Sequence, residues 1–217
     1  MCEQTVYFEY SKEATAHLCA KDKQLAQAIE HIGPVKRAVT PDLFTALVHS
    51  IISQQISTKA AETICGRLKE KCPDVTPAAL LSLPVRDIQS CGITMKKAEY
   101  IHDLAEKANA GAFDIRALKT MTDEQVVAEL VKLKGVGVWT AEMLLIFSMR
   151  RPDILSYGDL AIQRGLKMLY RHRAITPALC QKYKRRYSPY ASVASLYLWE
   201  IASGGYEAYP LPRQKGK

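Results

Sequence analysis

Two features of this chain carry chemistry in their residue types and spacing: the turn Leu133-Lys134-Gly135-Val136-Gly137, and the carboxylate Asp159 in the run YGDLAIQRG. Glycines at 135 and 137 permit a tight turn whose backbone amides no side chain screens. Where such a turn opens a helix, the first-turn N–H groups and the helix dipole favour a phosphate. Carbonyls on the other side of the turn could hold a monovalent cation. The simpler alternative is one helix ending at Gly135 and another starting after it. Asp159 lies 20 residues beyond Trp139, directly ahead of the helical pattern Leu160–Tyr170. There a carboxylate is an ordinary N-cap, and the same amides favour its charged form, leaving a fixed anion at the helix start. Trp139 and Trp199 are the 2 tryptophans of the chain, and one of them adjoins the turn.

Helices must position these groups. Leu43/Phe44, Leu47/Val48 and Ile51/Ile52 recur every four residues as one apolar stripe, continued in the next stretch by Ala60/Ala61, Ile64/Cys65 and Leu68. Ala98, Ile101, Leu104, Ala105 and Ala108 mark a helix after Thr94. Thr76-Pro77 and Thr176-Pro177 each read as an N-cap followed by proline in the first turn. Thr122 with Gln125 fits a capping box. The stretch 139–149, apolar except for Glu142, predicts a helix central to a core. Only residues 4–10 hint at a strand. The class predicted is all-α, with about ten short helices.

The composition is that of a globular protein: 217 residues, 48% hydrophobic and 24% charged. Net charge is +8, distributed unevenly: residues 132–217 hold 15 Lys/Arg against 5 Asp/Glu, and residues 1–131 hold 15 against 17. A basic half suggests a face for a polyanion, the alternative being a well-solvated surface. Cys2, Cys19, Cys65, Cys72, Cys91 and Cys180 form no C-x-x-C unit. With only Cys180 in the last third, no iron–sulfur cluster is expected there, and scattered thiols fit a reducing compartment. No apolar run approaches the ~20 residues of a membrane span, so no membrane association is expected.

LVKLKGVGVWTAEMLL, followed by YGDLAIQRG, resembles the helix-hairpin-helix of the DNA glycosylase superfamily, nearest in pattern to its 3-methyladenine DNA glycosylase II (alkylpurine) branch. The resemblance extends over about residues 35–203, including SQQIS at 53–57, GITMKKAEYI at 92–101 and SPYASVASLYLW at 188–199. It implies one glycosylase module of two helical subdomains flanking a DNA-binding cleft: 36–148 with the hairpin, and 1–35 plus 149–217. It assigns Gly135, Gly137, Thr140 and Lys134 to a DNA phosphate. The carbonyls of Val131, Leu133 and Val136 would take a Na+ or K+, no other cofactor being required. Gln54 and Gln55 fall on the minor-groove wedge, with Gln55 at the intercalating position. Trp139, Trp199 and Met143 fall on positions that, by the resemblance, line the base pocket, where indole faces attract a cationic base.

By the same resemblance, Asp159 stabilises the sugar cation left by the departing base or activates the attacking water. Strand-cleaving relatives carry a Schiff-base lysine where this chain has Trp139, which implies hydrolysis to an abasic site without lyase activity. The function implied is base excision repair by a monomer acting on damaged double-stranded DNA in a bacterial cytoplasm (nucleoid) or a nucleus. Alkylated purines such as 3-methyladenine and 7-methylguanine would be flipped out and released. The alternatives are the same fold aimed at deaminated or etheno bases, or a non-catalytic helix-hairpin-helix DNA-binding protein. Some of Tyr183, Tyr187, Tyr190 and Tyr197 could line the pocket or groove. The basic run Lys182, Lys184, Arg185 and Arg186 reads equally as DNA-facing or as solvated surface. One departure stands out: relatives usually have arginine where this chain has Ala191, after Ser188-Pro189-Tyr190.

Overall fold

The computed structural model describes residues 5–206. The elements run β1 Val6–Tyr7, α1 Lys12–Lys21, α2 Lys23–Ile32, β2 Ala38–Val39, α3 Leu43–Ser53, α4 Thr58–Lys71, α5 Pro77–Leu81, α6 Val85–Gln89 and α7 Met95–Asn109. After a 3-10 turn at Ala117–Thr120 come α8 Asp123–Leu130, α9 Val138–Phe147, α10 Leu160–Tyr170, α11 Pro177–Tyr187 and α12 Ala191–Ser203. The all-α expectation is met. Of the strand expected at 4–10, whose residue 4 lies outside the described residues, the described part forms a strand of two residues, with Val6 opposite Val39 and Tyr7 opposite Ala38. Its partner, β2, leaves no alternation in the sequence to betray it. No described helix is long and apolar enough to cross a membrane.

Short-range signals start most helices. Thr76 and Thr176 accept from the backbone N–H three residues on, each with proline in the first turn. Thr122 and Gln125 form the reciprocal capping box. Asp42, Ser57, Thr94 and Asp159 cap α3, α4, α7 and α10 in the same way.

The chain forms two compact units: one is Thr40–Met149, the other joins the segment through Val39 to the segment from Arg150. In the first, α3 buries Leu43, Phe44, Leu47, Val48, Ile51 and Ile52. Alpha7 buries Ala98, Ile101, Leu104 and Ala105. Alpha9 is less central than its composition predicts: Ala141, Leu144, Leu145 and Ile146 are buried, but its first turn exposes Val138 and Trp139.

In the second unit, α10 packs against α12 so closely that a methyl group on Gly165 would overlap the Leu198 carbonyl oxygen. Tyr183, Tyr187 and Tyr197 are buried here, and Tyr197 also lines a pocket with Tyr7, Tyr10 and Val35. Tyr183 stacks between Tyr170 and Tyr187, and the Tyr170 and Tyr187 hydroxyls meet at 2.6 Å. Burial pushes all three of these phenols up, which keeps them neutral. Within the basic run, Arg186 is committed to buried Asp22 at 2.6 Å and lies over the Tyr183 ring. Ala191 is buried, and its N–H donates to Asp153, which also accepts the Ser188 hydroxyl. Position 191, where the resemblance leads one to expect arginine, is therefore buried, with its backbone amide held by Asp153.

Candidate functional site

Asp159 is 6% exposed at the head of α10. Its Oδ1 accepts the Ile162 N–H at 2.8 Å and the Trp199 indole N–H at 3.2 Å. The first bond follows from the sequence, since an aspartate ahead of a helical run caps the third amide. The second depends on α12 packing on α10, which brings together two residues 40 apart in the chain. Both donors hold its Oδ1 in one orientation. Trp199 is half-buried, so the tryptophan assigned by resemblance to the base pocket is also the clamp on the anion.

The clamp has a consequence. Trp199→Phe keeps an aromatic ring but removes the N–H, and a hydrogen bond to a charged group contributes about 1.5–3 kcal/mol. For the base release that the resemblance implies, the single-turnover rate should fall roughly tenfold, at about 1.4 kcal/mol per tenfold, with DNA affinity unchanged. Equal rates for the variant and the parent would show that this bond does not orient the carboxylate.

The hairpin lies in the other unit. Residues 131–137 connect α8 to α9, with Gly135 at φ +81°, a left-handed conformation that favours glycine. A Cβ there would also come within 2.6 Å of the Tyr100 ring. Gly137 is the N-cap of α9 and supplies no side-chain cap. The first bond of the helical ladder runs from the Ala141 N–H to the Gly137 carbonyl, at 3.0 Å. The amides of Gly137, Val138 and Thr140 precede that ladder, at the positive end of the dipole. This is the arrangement that accepts a phosphate. Lys134 is exposed beside it, but its ammonium is bound to Asp103 at 2.8 Å, and that hydrogen bond raises its pKa. The cation expected on Val131, Leu133 and Val136 would meet three backbone carbonyls, the hard neutral oxygens an alkali ion takes. The Leu133 carbonyl also closes the turn by accepting the Val136 N–H at 3.2 Å.

Trp139 is 48% exposed on the first turn of α9, an unusual place for a tryptophan unless it meets a partner. Met143, one turn further on, is half-buried.

The loop at 54–57 separates the two glutamines. Gln54 Nε2 donates to the Gly135 carbonyl at 2.6 Å, so its side chain is spent on the hairpin. Gln55 is exposed, with φ +58°. That conformation costs a non-glycine residue about 1–2 kcal/mol. Lys97 also belongs to this region. From α7 its ammonium donates to the carbonyls of Ile52 (2.8 Å) and Gln54 (2.6 Å), and burial pushes its pKa down. No short-range signal marks it, because its partners lie 45 and 43 residues away.

The structure thus brings together Asp159 with Trp199, and Gln54 with Gly135. Trp139, Met143 and the hairpin belong to the unit Thr40–Met149; Asp159 and Trp199 belong to the other.

The family model described as HhH-GPD superfamily base excision DNA repair protein matches residues 48–189. DNA-3-methyladenine glycosylase 1 of Schizosaccharomyces pombe is 28% identical over 198 residues, covering 88% of this chain and 87% of that protein. The DNA-3-methyladenine glycosylase of Saccharomyces cerevisiae is 30% identical over 204 residues, covering 77% and 69%. Among solved structures, the DNA-3-methyladenine glycosidase from Bacillus halodurans matches with a TM-score of 0.83 at 35% identity, over 94% of this chain and 95% of that one.

Proposed function

Because the chain belongs to the HhH-GPD superfamily of base excision DNA repair proteins, we propose that it removes alkylated purines from duplex DNA by hydrolysing their N-glycosidic bonds. The observation that carries this reading is Asp159, a carboxylate withdrawn from solvent and fixed by an amide and an indole N–H. Departure of a base leaves an oxocarbenium-like sugar, and a preorganised anion stabilises that charge as it develops. The substrate class rests on the relatives named above and on Trp139. An exposed indole face attracts a cationic base such as 3-methyladenine or 7-methylguanine by about 0.5–2 kcal/mol more than a neutral one. Such a base leaves without prior protonation, so no general acid is needed.

The hairpin amides would hold the backbone phosphate of the damaged strand. An alkali cation on the carbonyls of Val131, Leu133 and Val136 would add positive charge to that turn. Gln55, exposed on its loop, would enter the gap left by the extruded nucleotide. Water is the nucleophile in this reading. Position 139 offers no amine, and the two lysines nearest the turn are ion-paired, Lys132 to Glu129 and Lys134 to Asp103. The product is an abasic site with the strand intact, formed wherever the cell keeps its DNA, in a bacterial cytoplasm or a nucleus.

The test is a set of duplexes carrying 7-methylguanine, 3-methyladenine, hypoxanthine or ethenoadenine, with released bases measured against spontaneous loss. Alkylated purines should be released, strand breaks should appear only after alkali, and borohydride should trap no covalent adduct. Release confined to hypoxanthine or ethenoadenine would move the substrate to deaminated or etheno bases. DNA binding without release of any base would make the protein a binding module, and a borohydride-trapped adduct would overturn the hydrolytic mechanism.

A further inference from the structure

On α7, Lys97, Tyr100 and Asp103 recur every three residues, and each engages either the loop after α3 or the hairpin. Lys97 holds the carbonyls of Ile52 and Gln54. The Tyr100 ring lies against Gly135, and Asp103 binds Lys134 at 2.8 Å. Gln54 completes the connection by donating to the Gly135 carbonyl at 2.6 Å. On the reading that this chain extrudes and excises bases, we propose that Gln54 and Lys97 are positioning residues. They lock the loop at 54–57 to the hairpin, so that gripping the strand and filling the vacated stack act as one rigid device.

Three observations carry this. The resemblance puts Gln54 and Gln55 together on the wedge, yet Gln54 could enter a base stack only by giving up its bond to Gly135, whereas Gln55 is exposed. Lys97 supplies two charge-assisted bonds to carbonyls at the end of α3, where the helix leaves acceptors unsatisfied. Directly after these anchors, Gln55 is kept at φ +58°, which persists only where surrounding contacts enforce it. Unstacking a base costs a few kcal/mol, so a loosely held loop would yield before the duplex did. A loop fixed to the turn that binds the phosphate transmits the push to the stack.

The bridge is tested in the full chain with Gln54→Leu, Lys97→Met and Lys97→Arg. The DNA is a duplex carrying 7-methylguanine with 2-aminopurine as its neighbour, whose fluorescence rises on unstacking. Gln54 is part-exposed, so Gln54→Leu should lower the thermal midpoint by no more than about 6 °C and bind undamaged duplex within about twofold, with the same salt slope, because no phosphate contact is removed. The fluorescence rise and the single-turnover rate should each fall roughly tenfold, as expected for losing one charge-free hydrogen bond near 1.4 kcal/mol. Lys97→Met should do the same and Lys97→Arg should restore most of the signal; if Lys97→Met does not fold, Gln54→Leu decides alone. A Gln54→Leu protein that unstacks and excises like the parent overturns the bridge, as does one that loses undamaged-duplex binding in step with excision. A parent that unstacks 2-aminopurine but releases no alkylated base refutes the proposed function, while the fluorescence still decides the bridge.

Discussion

Asp159→Asn should fold and bind DNA like the parent and lose about a hundredfold or more of its single-turnover excision rate. Asparagine offers an oxygen to both donors that Asp159 now receives, the Ile162 N–H and the Trp199 indole. It ranks with aspartate as an N-cap, so α10 keeps its start and stability should change by less than about 1 kcal/mol. What disappears is the charge. A neutral amide presents only a dipole to a cationic sugar, and in a site withdrawn from water the difference between dipole and full charge is large. Excision of 7-methylguanine, thermal melting and DNA affinity should be measured on the same preparation. Parental excision in the asparagine variant would remove this carboxylate from the mechanism.

Gly165→Ala should be among the most destabilising single-methyl additions in the protein. The added carbon would overlap the Leu198 carbonyl oxygen, a backbone atom that no rotamer change can move. Alpha10 and α12 would have to separate, and overpacking of this kind costs about 3 kcal/mol or more. For a chain of this size that corresponds to a melting temperature lower by roughly 6–12 °C. The same separation would stretch the bond from Trp199, the residue after Leu198, to Asp159 at the head of α10, so the surviving folded protein should also excise slowly. Gly66→Ala is the control of opposite sign. Gly66 sits in α4 with nothing within 4 Å of an added Cβ. There alanine should stabilise the helix by about 0.5–1 kcal/mol. Parallel melts that show no difference between the two variants would mean that α10 and α12 are not in backbone contact.

Much of the fold was legible because its causes are short-range. The threonine-proline starts at Thr76 and Thr176, the capping box of Thr122 and Gln125, and the apolar stripes of α3 and α7 all act within a few residues of chain. Asp159 was legible for the same reason. The C-terminal tyrosines were not legible: tyrosine suits a wet pocket or a buried stack equally well, and only tertiary packing puts Tyr183 and Tyr187 in a stack with Tyr170 while Tyr197 also edges a pocket. The partner of Lys134 was not legible either, because Asp103 lies 31 residues earlier in the chain.

The sequence by itself determined the helices, the glycine turn ahead of α9 and the carboxylate ahead of α10, because helix periodicity, capping and left-handed glycine turns are properties of neighbouring residues. Tertiary structure alone decided that Trp199 clamps Asp159 across 40 residues, and that Gln54 rather than Gln55 is tied to Gly135 across 81. Adjacent glutamines are chemically identical in a sequence; they differ once the chain end of α3 is fixed on Lys97 and one side chain is left facing the turn while its neighbour stays exposed.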